Sequence, residues 1–184
     1  LSKSEVEEVV EDFIAAAIRA ERAGFDGVEL HGAHGYLLCQ FFSEETNRRE
    51  DEYGGSLTNR SRILFEIIDG IRQRCHSNFM IGVRLSPERF GMKLDDSVEL
   101  AKRLCDEAKI DFLDMSLWDV FKEPNEEERR GSSLLSYFTS IERGEVRLGV
   151  AGKIRTPMDA ERVFAEGVDW IMLRSEERRV GKEC

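Results

Sequence analysis

Four times along this chain apolar residues at helical spacing lead into a short run of strand-forming residues, a fifth such run follows a polar excursion, and that alternation restricts the fold more than any other feature. Ser4 and Glu7 have the spacing of a capping box, and Val6, Val9, Val10, Phe13, Ile14, Ala17 and Ile18 then form an amphipathic stripe. Ala23-Gly24 ends it, and Gly27-Val28-Glu29-Leu30-His31 reads as a strand. A helix expected from about Asn59 to Cys75 leads to the strand Met80-Ile81-Gly82-Val83-Arg84-Leu85. Asp95 or Asp96 is the expected cap of a helix reaching Ala108, before the strand Phe112 to Ser116. After a longer polar excursion come the strand Val146 to Ala151, a helix opened by Thr156-Pro157 and ending near Glu166, and a last strand, Val168 to Leu173. Such repetition implies an α/β fold with a parallel sheet, wound either as a barrel or as a doubly wound open sheet.

Periodicity does not choose between these two windings, but the polar residues do. His31 and His34 follow the first strand, Arg84 lies in the second, Ser116 ends the third, and Gly152-Lys153 follow the fourth. Chemistry gathered at the C-terminal ends of successive strands is the pattern of a barrel, where a phosphate site is often built late in the chain. A formal charge of -10 argues against a nucleic-acid partner. No apolar run approaches the roughly 20 residues needed to cross a bilayer, so no membrane partner is expected. Cys39, Cys75, Cys105 and Cys184 form no CxxC pair, and a reducing cytoplasmic location is the default expectation.

The densest chemical signal is His31-Gly32-Ala33-His34-Gly35-Tyr36. Two imidazoles and a phenol leaving one strand end can hydrogen-bond a developing oxyanion and deliver a proton. A zinc site is the competing reading of His-x-x-His, but no nearby Cys or third His completes a ligand set, and Glu29 points to the opposite strand face from its neighbours; no metal is expected. Gly152-Lys153 allows a close backbone approach, with amides that can face a phosphate, although a lone Gly-Lys is weak evidence. Trp118 and Phe121 follow the third strand and are either mouth residues or ordinary packing, and His76 reads as exposed.

The run Ala23 to Leu38, with Gln40-Phe41, Asn47-Arg48-Arg49, Asp51-Glu52-Tyr53-Gly54-Gly55-Ser56, Asn59-Arg60 and Gly82-Val83-Arg84-Leu85-Ser86, closely resembles the Old Yellow Enzyme family over about residues 1 to 173. The resemblance implies an eight-stranded (β/α)8 TIM barrel holding FMN, of which this chain carries the fourth to eighth strands, in one partial domain over 1–173. It implies an ene-reductase type of oxidoreductase that passes hydride from NAD(P)H through FMN to an activated alkene: an enone, enal, nitroalkene or dienoyl substrate. By the same resemblance His31 and His34 bind the substrate oxygen and Tyr36 protonates the alpha carbon. Arg84 lies beside the flavin pyrimidine edge, and Gly152 and Lys153 bind the cofactor phosphate. Asp51, Tyr53, Gly54, Gly55, Asn59 and Arg60 also match, and these are read as structural, fixing a long loop over the barrel rim.

One departure stands out. The family's last strand ends in Gly-Arg, whereas here Leu173 is followed by Arg174-Ser175, and the segment to Cys184 looks like the translation of a sequencing-library adapter. The expectation is a non-native tail over 174–184, and a chain lacking three N-terminal strands, inefficient by itself. A dihydroorotate dehydrogenase-like barrel shares the late Gly turn but does not account for His31, His34 and Tyr36 together. A non-catalytic module is the remaining alternative. The sequence is compatible with a homo-oligomer.

Overall fold

In the computed structural model, which describes residues 1–173, all five expected strands form: β1 (Gly27–Gly32), β2 (Met80–Leu85), β3 (Phe112–Ser116), β4 (Arg147–Ala151) and β5 (Trp170–Met172). They make one parallel sheet in the order β1-β2-β3-β4-β5. A doubly wound sheet reverses its strand order at a switch point. Here each strand lies beside its predecessor, as in the wall of a barrel. The fold is therefore the incomplete (β/α)8 barrel that the strand-end chemistry pointed to. The expected tail, 174–184, lies outside the described residues.

Four longer helices connect and cover the strands: α1 (Lys3–Arg22), α4 (Arg62–Arg74), α5 (Leu94–Asp106) and α7 (Pro157–Ala165). Three short ones, α2 (Leu37–Phe42), α3 (Leu57–Arg60) and α6 (Ser136–Thr139), lie in loops. Three helix starts differ from expectation. The capping box of α1 is Ser2 with Glu5: the Ser2 amide donates to Glu5 Oε2 at 2.6 Å and the Glu5 amide to Ser2 Oγ at 3.3 Å. The helix expected from Asn59 is split at Ser61, whose hydroxyl donates back to the Leu57 carbonyl at 2.7 Å, a local alternative to helix propagation. The cap position of α5 is Lys93, with Asp95 and Asp96 in the first turn, where their charge favours the helix dipole. Thr156 does cap α7 in a box with Asp159, and Pro157 sits at its start.

The two faces of the sheet are built differently. Toward the helices point Leu30, Ile81, Val83, Leu85, Leu113, Met115, Leu148 and Val150, all buried. Onto this layer pack Val6, Val10, Ile14 and Ala17 of α1 and Ile63, Leu64, Ile67, Ile68 and Ile71 of α4. Gly70 lets these helices meet: a Cβ there would lie 2.1 Å from Ile14 Cδ1. The concave face carries glycines beside aromatic rings. A Cβ on Gly82 would strike the Phe112 ring at 1.9 Å and one on Gly149 the Trp170 ring at 2.3 Å, and those two rings meet edge to face at 5.3 Å between centroids. Small residues opposite large ones thus fill the N-terminal end of the barrel wall.

The motif from Asn47 to Arg60 is structural, as expected. Arg60 is 2 % exposed and donates to the carbonyls of Gly55 (3.0 Å) and Phe42 and to the carboxylates of Glu44 (3.2 Å) and Asp96 (2.9 Å). Asn47 donates to the Phe41 and Tyr53 carbonyls, each at 2.7 Å, and the Tyr53 hydroxyl donates to Glu66 at 2.9 Å. One buried guanidinium therefore ties the loop after α2 to α5. Among the described residues no helix is long and apolar enough to cross a membrane, and Cys39, Cys75 and Cys105 are free thiols.

Candidate active site

Strand register brings the chemistry together. His31 of β1 pairs with Arg84 of β2, and Arg84 pairs with Asp114 of β3, so the three side chains share the concave face. Beyond β1 the chain turns sharply: His34 and Gly35 take positive φ, 59° and 75°, and the His34 amide donates to Ser86 Oγ at 3.0 Å. The turn is locked at its other side by Gln40, whose amide donates to the Gly35 carbonyl at 2.7 Å. It delivers Tyr36 to the N-terminal cap position of α2, which is anchored by the buried Leu38, Cys39, Phe41 and Phe42.

The result is a cluster of three rings. His31 lies 5.2 Å from His34, nearly edge to face, and 5.3 Å from Tyr36, between centroids. Tyr36 is 63 % exposed, so its hydroxyl is available to a ligand over the concave face. Burial holds the His31 imidazole below its ordinary pKa, and the Arg84 charge adds to the effect. A neutral ring at neutral pH follows.

Beneath the rings lies a charged group. Arg84 donates to Ser116 Oγ at 3.2 Å, and its Nε sits 3.3 Å from Asp114 Oδ2. Asp114 is fully buried, and neither its two carboxyl oxygens nor Arg84 Nε has a hydrogen-bond partner among the described residues. Burial, then the neighbouring Glu29, push the Asp114 carboxyl well above the usual carboxylate range, with Arg84 opposing. Glu29 shifts in the same direction by desolvation of its covered part, and Arg84 again opposes. Glu29 thus shares the face of His31 and joins an acid pair around Arg84. Among the described residues it contributes to no metal-ligating group.

Ser116 joins the two layers. Its Oγ lies 2.7 Å from His34 Nε2 as well as within reach of Arg84. Gly152 and Lys153 follow β4 on the same rim. Gly152 has φ 151°, and a Cβ on it would come within 2.8 Å of the Trp118 carbonyl carbon, so its close approach is to the chain after β3. Lys153, also at positive φ (50°), donates to Asp119 at 3.1 Å.

The aromatics after β3 divide. Trp118 (φ 64°) lines a cavity of about 20 Å³, the size of one water, with His34, Ser86, Phe90 and Ser116, and the Arg89 guanidinium covers its ring at 4.5 Å. Phe121 lies under Arg162 at 4.1 Å, as packing. His76 is exposed and remote from the cluster. Sequence reasoning set Glu29 aside on the wrong ground, since it shares the face of His31, and missed Asp114, Arg89 and Phe90. For Asp114 a signal existed: an acid in the middle of an otherwise apolar buried strand.

Comparison with known proteins identifies the family and the fold. Residues 1–172 match the family model described as NADH:flavin oxidoreductase / NADH oxidase. The chain is 38 % identical over 174 residues to the NADH oxidase of Thermoanaerobacter brockii, covering 91 % of this chain and 27 % of that protein. It is 35 % identical over 181 residues to an NADPH dehydrogenase of a Geobacillus species, covering 96 % and 52 %. Among solved structures, morphinone reductase in complex with tetrahydroNAD superimposes with a TM-score of 0.74 at 30 % identity over 94 % of this chain and 46 % of its own. The chain thus spans between about a quarter and a half of these relatives. With a family match that spans residues 1–172 and a barrel-wall winding shared with solved relatives, the chain belongs to the NADH:flavin oxidoreductase / NADH oxidase family.

Proposed function

We propose that the full-length protein carrying this chain is an FMN-dependent ene-reductase: it takes hydride from NADH or NADPH and reduces an activated alkene such as an enone, enal, nitroalkene or dienoyl compound. The observation that carries this reading is the cluster of His31, His34 and Tyr36 above Arg84 on the concave face. FMN, when bound, supplies the hydride relay. The residues present fit such a group: the Arg84 guanidinium, held on the concave face by Asp114 and Ser116 and partly exposed, suits the acceptor-rich edge of a flat heterocycle. A fixed guanidinium there favours the anionic reduced flavin. Gly152 and Lys153, on the same rim, are the residues assigned to the cofactor phosphate.

His31 and His34 hold the substrate oxygen, withdrawing charge from the double bond, and exposed Tyr36 gives its phenolic proton to the alpha carbon as hydride reaches the beta carbon. This division needs no metal. The relatives support the substrate class: one curated relative is named as a putative 12-oxophytodienoate reductase from rice, and solved neighbours include morphinone reductase. The test is anaerobic. Full-length protein loaded with FMN is reduced by NADH or NADPH and then mixed with an enone. Reoxidation of the flavin with stoichiometric loss of the alkene is the expected result; a flavin that binds yet exchanges no electrons with either partner overturns the proposal.

A further inference from the structure

We propose that Arg89, stacked on Trp118 beside Phe90, selects the substrate: an activated alkene with a planar apolar body and a carboxylate, which Arg89 takes at the mouth of the site. Ene-reduction, as proposed above, supplies the position of the alkene oxygen at His31 and His34, and the present proposal rests on that reading. Arg89 adds the far end of the molecule.

Bulky residues stand here on backbone that suits glycine. Arg89 and Phe90 have φ of 71° and 55°, Gly91 follows at 76°, and the Met92 amide donates to the Arg89 carbonyl at 2.9 Å. A turn with positive φ at both central positions ordinarily takes Gly, Asn or Asp there, and this one takes an aromatic first. Trp118, at φ 64°, is the centre of a tighter turn closed by the Asp119 amide on the Leu117 carbonyl at 2.7 Å, a rare and strained form. Such backbone persists only where its surroundings impose it. Gly91 is wedged so closely that a Cβ on it would lie 2.1 Å from Ser43 Oγ, and a Cβ on Gly35 would lie 3.1 Å from the Phe90 ring. Glu88, buried just before the turn, accepts from the Asn125 amide at 2.8 Å and pairs with Lys122.

What this backbone holds up is open to a ligand. Phe90 is 43 % and Trp118 54 % exposed, and the Phe90 ring lies 6.3 Å from that of His34. The water-sized cavity beneath is too small for an alkene, so a planar body lies over these rings rather than between them. Charge then decides the rest of its chemistry. Of the ionic residues lining this cavity, Glu88 and Lys122 neutralise each other, whereas Arg89 has no carboxylate within ion-pair distance among the described residues. That is notable in a chain with 37 acidic residues against 27 basic ones, and the planar donor fork of Arg89 matches a carboxylate from outside. The carboxylate belongs to the alkene rather than to the nicotinamide co-substrate. Arg89 and His34 line one cavity, so the anion and the activated oxygen sit on one small molecule, while the diphosphate of a dinucleotide is a ribose removed from its nicotinamide ring.

Calorimetric binding to the FMN-loaded full-length protein, oxidised and without nicotinamide, provides the test. The ligands are meta- and para-carboxycinnamaldehyde, whose acids lie at different distances from the enal oxygen, each compared with its methyl ester. At least one acid is expected to bind about tenfold more tightly than its ester. Arg89→Gln, which removes the charge and keeps a planar group over Trp118, should erase that preference, and Arg89→Lys should retain its sign. Acids that bind no more tightly than their esters overturn the proposal without any variant, and so does a preference that survives Arg89→Gln. Affinity for tetrahydroNAD should be unmoved by Arg89→Gln; a fall there with the acid preference intact would assign the anion to the dinucleotide, against the proposal. Because no turnover is read, an acid preference lost in Arg89→Gln would stand even in a protein that reduces no alkene, which would sink the ene-reductase reading alone. Equal binding of acid and ester in a protein that reduces both would do the reverse.

Discussion

The two faces of one sheet solve different problems with alternate residues of the same strands. On the helix-facing side β1 to β4 carry only apolar residues, from Leu30 through Val83 and Leu113 to Val150, and nothing there can ionise. On the concave side the strands carry His31, Arg84, Asp114 and Ser116, with buried polar atoms that lack hydrogen-bond partners among the described residues. Stability resides on the first face and chemistry on the second. A period of two separates them, so neighbours in sequence such as Val83 and Arg84 should respond to substitution in unrelated ways.

That contrast can be tested by breaking each face in turn. The largest effect expected is catalytic: Tyr36→Phe in the full-length enzyme should slow alkene reduction by about 10²–10⁴-fold while reduction of the flavin by nicotinamide stays near normal. Stopped-flow measurement of the two half-reactions checks this, and an equal fall in both would remove Tyr36 from its assigned role. Next in size, Leu148→Ala on the helix-facing side should lower unfolding stability by about 2–5 kcal/mol in chemical denaturation, since Leu148 is fully buried among β-branched and aliphatic neighbours. An exposed-site cost below about 0.5 kcal/mol would show that this layer is not the core.

A third, smaller effect depends on pH. The Asp114 carboxyl is raised from its ordinary 3.8 to about 7 by burial and by Glu29, so the folded state holds a proton that the unfolded chain releases earlier. The stability it contributes is fully present below about pH 4 and is lost as pH rises through 7. Asp114→Asn should flatten that part of the stability profile, measured by denaturation at a series of pH values; a stability rising over this interval for the unmodified chain, and unchanged by the substitution, contradicts the acid-pair reading. Least of all should follow from His76→Ala, which lies on the surface: a change within about 0.5 kcal/mol and no change in flavin chemistry.

Much of this division was legible in the residues. The strands fell where short apolar runs followed amphipathic helices or a polar excursion, because burial on the helix-facing side demands that pattern. His31, His34, Tyr36 and Arg84 stood out because polar groups at strand ends contradict the apolar rule around them. Other features were degenerate at the level of spacing. Ser2 with Glu5 and Ser4 with Glu7 are equivalent capping boxes on paper, and the earlier one is used. The break at Ser61 depends on a hydroxyl reaching back to Leu57, which spacing alone does not reveal. Asp114 and Glu29 acquire meaning only through register, which sets them on either side of Arg84, and the contacts of Ser116 reach two partners 82 and 32 residues away in the chain.

The central claim is that the concave rim holds a substrate oxygen over a flavin. Its most direct test is spectroscopic: titrate the FMN-loaded full-length protein with a phenol and follow the long-wavelength charge-transfer band between phenolate and oxidised flavin. The account predicts a band in the unmodified protein and its loss, with weaker phenol binding, when His31 and His34 are both replaced by Ala. A band of undiminished intensity at unchanged affinity in that double variant would contradict it.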